Sequence, residues 1–116
     1  MRYRVTVRRG SAVERSSAET LEAALDALEA AVREVGRGPR PASVDLRVRS
    51  YAPGDQVVGR VELAGPTRLA PAIRAGVDVR GDGAMTAYVG RARRTAVRER
   101  DDESALQALR RTLTGG

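Results

Sequence analysis

The sequence predicts an α+β protein, a two-layer sandwich in which two helices cover one face of a mainly antiparallel sheet. Several segments alternate apolar and polar residues with the period of a strand, short turns containing glycine separate them, and two segments carry apolar residues at helical spacing. The predicted order is β-β-α-β-β-β-β-β-α. Because the strands present a single apolar face, both helices are expected to cover that face.

The N-terminal segment predicts a hairpin. Residues 2–8 alternate charged or polar side chains with apolar ones, as a strand with one buried face does. Gly10 predicts the turn because glycine tolerates positive φ, and a second short strand follows through Ala12 and Val13. The apolar face of the first strand consists of Tyr3, Val5 and Val7.

A long amphipathic helix is predicted next. Ser16 and Glu19 have the spacing of a capping box, which places the start of the helix there, and Gly36 marks its end. The apolar residues that recur at helical spacing are Leu21, Ala24, Leu25, Leu28, Ala31, Val32 and Val35. The opposite face is acidic and carries Glu19, Glu22, Asp26, Glu29 and Glu34.

A central hairpin over residues 43–64 follows a linker rich in glycine and proline at residues 36–42. Its first strand spans residues 43–50, and its turn lies at residues 52–55. The inward positions are Val44, Leu46 and Val48 in the first strand and Val57, Gly59, Val61 and Leu63 in the second. Two prolines within residues 64–75 predict a connection with at most one helical turn.

Three further strands and a helix are predicted in the C-terminal part. Val77 and Val79 mark one strand, residues 81–83 its turn and residues 84–91 its partner strand. After a turn near Arg93 and Arg94, a short strand passes through Val97. A helix capped by Asp101 or Asp102 then places Leu106, Leu109 and Leu113 toward the core.

The two ends of the chain align when they are shifted by 84 positions. The matched residues are Val5, Arg9, Ala12, Val13, Glu19, Ala24 and Leu25 with Val89, Arg93, Ala96, Val97, Glu103, Ala108 and Leu109. We therefore expect a single domain over residues 1–116 with two pseudo-repeated hairpin-helix halves, 1–36 and 75–116, joined by the central hairpin. Independent convergence on one hairpin-helix pattern explains the alignment equally well.

Composition argues against catalysis. The chain contains no Cys, His or Lys, which excludes disulfides, thiolate nucleophiles, zinc sites built from cysteine, a histidine base and a Ser-Lys pair. Adjacent Asp101 and Asp102 are expected to cap a helix rather than to act on a substrate. We predict a non-enzymatic protein without metal or cofactor. The absence of an apolar run of about 20 residues, and of a signal-like N-terminus, predicts a cytoplasmic protein with no membrane partner.

The net charge of +6 favours a polyanionic partner, and the distribution of the arginines indicates which surface would bind it. Inward alternation of the apolar residues forces arginines onto the opposite sheet face, which the helices leave open, while acidic charge lies on the first helix. Codon bias toward arginine and the ordinary preference of exposed strand positions for long polar side chains explain the same arginines. The predicted nucleic-acid-binding residues are Arg2, Arg4, Arg8, Arg47, Arg49, Arg60, Arg80, Arg91, Arg93 and Arg98.

The scarcity of aromatic residues indicates which nucleic acid such a face would bind. Stacking on single-stranded bases needs aromatic platforms, and the chain has three tyrosines as its only aromatic residues. Arginine forks pair with phosphates, and a sheet can enter the major groove of a duplex. The sequence therefore predicts binding of duplex DNA with low sequence specificity.

Residues 77–113, VDVRGDGAMTAYVGRARRTAVRERDDESALQALRRTL, resemble the N-terminal, AP2-like, arm-type DNA-binding domains of phage-type tyrosine recombinases. In that family a three-stranded sheet around a G-D-G turn precedes a helix with an alanine-rich apolar stripe. Residues 3–31 are similar to the last two strands and helix of the same pattern, whereas residues 37–75 have no counterpart in it. The resemblance implies duplex DNA contact by the sheet, through Arg80, Arg91, Arg93 and Arg98.

A second class of function also fits the predicted fold. An open sheet face or an unpaired edge strand can bind another chain. The alternative is therefore a homo-oligomeric module, such as a homodimer, or a module that binds a protein partner.

Overall fold

The computed structural model describes residues 2–37, 57–66, 73–90 and 94–115. The elements are β1 (Tyr3–Arg9), β2 (Ala12–Ala18), α1 (Leu21–Arg37), β3 (Val57–Gly65), β4 (Ile73–Arg80), β5 (Met85–Val89), β6 (Thr95–Ala96) and α2 (Ala105–Thr114). The α+β class and the order of these elements agree with the prediction. The predicted strand over residues 43–50 and its turn lie outside the described residues.

The strands form one six-stranded sheet in the order β2-β1-β3-β4-β5-β6, with every neighbouring pair antiparallel. Both helices pack on the same face, since residues of α1 and α2 join strand residues in one core cluster. The result is a two-layer sandwich with one uncovered sheet face. Neither helix is long and apolar enough to cross a membrane, and the described residues contain no other helix.

The core is aliphatic and lies between the sheet and the helices. Each large aliphatic side chain that is fully buried stabilises the fold by about 1.5–3 kcal/mol. The largest of these side chains are Val5, Val61, Leu63, Val77 and Val79 from the sheet, Leu25, Leu28 and Val32 from α1, and Leu109 from α2. Gly59 allows α1 to lie directly against β3, because a Cβ atom there would overlap the side chain of Val35.

The start of α1 differs from the prediction. Strand β2 continues to Ala18, and pairing with β1 places Ser16 opposite Val5, so Ser16 belongs to the sheet and caps no helix. The hydroxyl of Thr20 instead accepts a hydrogen bond from the backbone N–H of Ala23 at 3.1 Å, as an N-cap residue does. The predicted capping box of Ser16 and Glu19 is therefore wrong. The apolar face predicted for this helix is confirmed.

The cap of α2 also differs from the prediction, which placed it at Asp101 or Asp102. Ser104 forms a capping box with Gln107: the Gln107 N–H donates to the Ser104 hydroxyl at 3.1 Å, and the Ser104 N–H donates to the Gln107 side-chain oxygen at 2.8 Å. Thr20 and Ser104 stand 84 positions apart, the shift at which the chain ends align. Duplication of the two halves stays a prediction.

Val57 is exposed rather than inward as predicted. A register irregularity between Val57 and Gly59 places Val57 opposite Arg80 and leaves it 45% exposed. Such an irregularity places the residues before it on the other face from the one that alternation in the sequence predicts. The predicted inward positions Val61 and Leu63 are confirmed.

Candidate nucleic-acid interface

The uncovered side of the sheet is rich in arginine. On each strand its side chains alternate with those that enter the core. The arginines on this side are Arg15 from β2, Arg4 and Arg8 from β1, Arg60 from β3, and Arg74 and Arg80 from β4, and Arg94 adds a guanidinium group over the ring of Tyr88. We call this set the arginine face. Among the described strand residues, Glu62 and Asp78 are its only carboxylates.

Both carboxylates are held within the face by arginines. Arg8 and Arg60 lie directly opposite each other on neighbouring strands, an arrangement that places like charges together. Arg8 Nε donates to Glu62 at 2.7 Å, and Arg60 Nε donates to Asp78 at 2.6 Å. The hydrogen bond to Asp78 raises the pKa of Arg60. Each carboxylate therefore offsets one member of the opposed arginine pair, and no acidic group of the described strands on this face is left without an arginine.

Acidic charge is concentrated on the helical side. Arg110 of α2 donates to Asp26 at 2.7 Å and to Glu29 at 2.9 Å and lies 3.6 Å from Glu22, so that one guanidinium group joins α2 to the acidic surface of α1. Within the described residues, the predicted acidic face of α1 thus pairs with a helix arginine and not with the arginine face. The segregation of charge between helices and sheet is preserved.

The predicted binding residues do not all lie together. Arg4, Arg8, Arg60 and Arg80 belong to the arginine face. Arg2 is exposed immediately before β1, where its N–H donates to the carbonyl of Pro66. Arg98 is exposed after β6, and its carbonyl accepts a hydrogen bond from Arg111 of α2. The predicted residues that lie outside the described ranges are Arg47, Arg49, Arg91 and Arg93.

Three residues of the arginine face were absent from the predicted set. Arg15 was missed because residues 14–18 show no apolar alternation and an edge strand exposed over its length needs none. Arg74 fell in a segment that its prolines marked as a connection. The sequence places Arg94 in a turn and in a dense run of arginines with Arg91, Arg93, Arg98 and Arg100, without assigning it to the sheet face. The alternation that starts at Ala75 and continues through Val77 and Val79 is the signal that would have located Arg74.

Tyr88 is a buried side chain of the arginine face that packs against a neighbouring strand and two arginines. The outer end of its ring lies over Gly76, the residue directly opposite on β4, where a Cβ atom would overlap the Tyr88 hydroxyl. The Cζ atom of Arg94 lies 4.9 Å from the ring centroid and that of Arg60 lies 6.0 Å from it, both within the range of cation–π attraction. Tyr88 is 6% exposed, and its hydroxyl has no hydrogen-bond partner among the described residues.

A shallow cleft of about 100 Å³ opens beside this tyrosine. Its lining includes Arg74, Arg94, Tyr88 and the carboxylate of Glu62. Small-molecule pockets commonly measure about 300–1,000 Å³, so the cleft fits a single small group rather than an organic substrate. Burial, followed by the charge of Glu62, raises the pKa of Tyr88, which keeps the hydroxyl protonated and able to donate near neutral pH.

Comparison with protein-family models, with curated proteins and with solved structures yields no significant match for this chain. The resemblance to recombinase DNA-binding domains therefore stays a prediction. Across the ranges that the structure describes, no group of three or more acidic, histidine or cysteine side chains is arranged to hold a metal ion.

Proposed function

We propose that this protein binds duplex DNA through the arginine face, by contacts to backbone phosphates and with little sequence specificity. One observation carries the proposal. The seven arginines on one side of the sheet face two carboxylates among the described strand residues, and each of those carboxylates is already paired with an arginine. The face therefore keeps an excess of positive charge after its internal ion pairs are counted.

Arginine is suited to phosphate because its guanidinium group is planar, always charged and able to donate two parallel hydrogen bonds. The exposed side chains of Arg4 and Arg15 lie on adjacent strands. Several such groups spread over a sheet can contact successive phosphates along a DNA backbone.

The state of Tyr88 favours a duplex over a single strand. Binding of single strands depends on bases that stack on exposed aromatic rings. Tyr88 is the aromatic side chain of this face within the described ranges, and it is buried beneath Arg94. We expect a single strand to gain only the electrostatic part of the interaction.

Fluorescence anisotropy with a labelled duplex, and with one of its strands alone, tests the proposal across a salt series. The logarithm of the binding constant should fall linearly with the logarithm of salt concentration between about 50 and 200 mM, because each neutralised phosphate releases counterions. Because the face has seven arginines, the magnitude of the slope in this double-logarithmic plot should be at most about 6. Binding that does not respond to salt, or no binding at low salt, would contradict the proposal.

Pairing with another chain along β2 is the alternative from a different class. This seven-residue edge strand is exposed over nearly its whole length. Antiparallel self-pairing that uses the full strand would, however, place Arg15 opposite Arg15, and a central charge is a common protection of edge strands. Light scattering distinguishes the two classes: a tight oligomer supports the alternative, whereas a monomer that binds the duplex supports the proposal. The proposed function is non-enzymatic and cytoplasmic, and it calls for no metal or cofactor.

A further inference from the structure

We propose that the cleft between Tyr88, Arg74 and Arg94 binds one phosphate-type oxyanion, held by the two guanidinium groups and by a hydrogen bond donated by the Tyr88 hydroxyl. The shared chemistry is a tetrahedral phosphate, either free or as one phosphodiester of a nucleic acid. Only the second source rests on the proposed function.

The unpartnered hydroxyl carries the inference. A buried polar group that lacks a hydrogen bond destabilises the fold, and folded proteins rarely leave one in that state. Tyr88 is 94% buried by its residue surface, yet its hydroxyl has no partner among the described residues. Tyr88 also lines the cleft, and the proposed site places an oxygen atom of the ligand there, within reach of the hydroxyl.

The charges around the cleft indicate what that ligand is. Arg74 and Arg94 line it, and the backbone N–H of Gly90 at its edge is already bonded to the carbonyl of Arg74, which fixes the end of β5 against β4. Two guanidinium groups and a hydroxyl donor are complementary to an oxyanion and to no cation. The volume of about 100 Å³ limits the ligand to a group of phosphate size.

Glu62 is the opposing group in the cleft. Its carboxylate accepts a hydrogen bond from Arg8 at 2.7 Å, so its charge is offset before an anion arrives. It nevertheless lies close enough to contribute to the raised pKa of Tyr88. Glu62 therefore weakens anion binding without preventing it. Removing its charge should raise the affinity for phosphate, the opposite of the effect expected from removing a donor.

The test measures the rise in melting temperature caused by inorganic phosphate, relative to chloride at the same ionic strength, for the full chain. A ligand that binds only the folded state raises this temperature, and the rise grows with the logarithm of the ratio of ligand concentration to dissociation constant. Tyr88→Phe removes only the orphaned hydroxyl and should itself fold at least as stably, while the affinity for phosphate falls by about tenfold. Arg94→Gln should lower the affinity similarly, Glu62→Gln should raise it, and the helix variant Arg33→Gln should leave it unchanged.

Duplex DNA and dimethyl phosphate, measured with the same variants, separate the two sources. Phosphate binding that is lost in Tyr88→Phe and Arg94→Gln supports the site even when wild type fails to bind DNA, a result that removes only the proposed function. DNA binding that all variants retain, together with no phosphate effect, overturns the site and leaves the proposed function standing. A phosphate effect that is equal in every variant identifies an adventitious ion only and also overturns the site.

Discussion

The ring of Tyr88 occupies the place that a side chain at Gly76 would fill. The two residues are direct partners across β4 and β5, and a Cβ atom at Gly76 would overlap the Tyr88 hydroxyl and Cζ. A glycine on a central strand normally weakens the sheet, because it has no side chain to pack. Here it leaves room for the ring, which fixes one wall of the cleft.

Gly76→Ala should therefore destabilise the fold by about 1–3 kcal/mol, the cost of forcing extra atoms into a packed site. Denaturant unfolding measures it. Gly36→Ala is the matched control, because a Cβ atom at that helical position meets nothing within 4 Å and alanine is the better helix former. Equal free energies of unfolding for wild type and Gly76→Ala would show that Tyr88 does not need this space.

Asp78→Asn should change stability and binding in opposite directions. The variant weakens the 2.6 Å contact from Arg60, and since both side chains are mostly buried the expected loss of stability is about 1 kcal/mol. It also leaves one more guanidinium group for phosphates, so the affinity for duplex DNA should rise.

Glu14→Gln is the control for that variant, because it raises the net charge equally but lies on the opposite side of the sheet, on β2. We expect it to change duplex affinity much less than Asp78→Asn does. Identical gains from both variants, measured by anisotropy at one salt concentration, would show that net charge alone decides binding.

Glu103 links the start of α2 to its last turn and predicts a pH dependence of stability. Its carboxylate accepts from Arg111 at 2.8 Å and 2.9 Å and from the Arg100 N–H at 2.8 Å. The hydrogen bonds from Arg111, with that from Arg100, lower the pKa of Glu103 from 4.5 to about 2. A lowered folded-state pKa stabilises the protein above the unfolded value, and this contribution is lost as pH falls through the folded one.

Glu103→Gln should accordingly melt below wild type at pH 7, and the gap should close between about pH 4.5 and about pH 2. Thermal unfolding followed by circular dichroism provides the measurement. Glu14→Gln, which removes an exposed carboxylate without an ion pair among the described residues, should have little effect at pH 7. A gap that persists unchanged at pH 2 would refute the role given to Glu103.

Strands with one buried face were predictable from the sequence, whereas the full extent of the exposed strand β2 was not. Val5, Val61 and Val77 alternate with polar neighbours because the core selects apolar side chains at every second position. Strand β2 buries almost nothing, so its sequence carries no such signal, and the spacing of Ser16 and Glu19 imitated a helix cap. A helix cap can be recognised from a few neighbouring residues. The pairing that makes residues 12–18 a strand depends on β1 and is not visible in those residues themselves.

The arginine face was predictable as a charge pattern but not as a site. Alternation in the sequence places Arg4, Arg8, Arg60 and Arg80 on the open face, because each is next to a strand residue that points into the core. The cleft depends on contacts between Tyr88 and residues on other strands, and on a glycine that lies 12 positions away in sequence. No local pattern encodes that arrangement.

Paired charge-neutralising variants test the central claim most directly. Arg4→Gln with Arg15→Gln removes two exposed arginines of the arginine face, whereas Arg33→Gln with Arg37→Gln removes two exposed arginines of α1 and lowers the net charge equally. If the arginine face holds phosphates, the first double variant should bind duplex DNA more weakly and reduce the magnitude of the salt slope by about 2. The second should keep the slope of wild type. Equal losses in both double variants would contradict binding at this face.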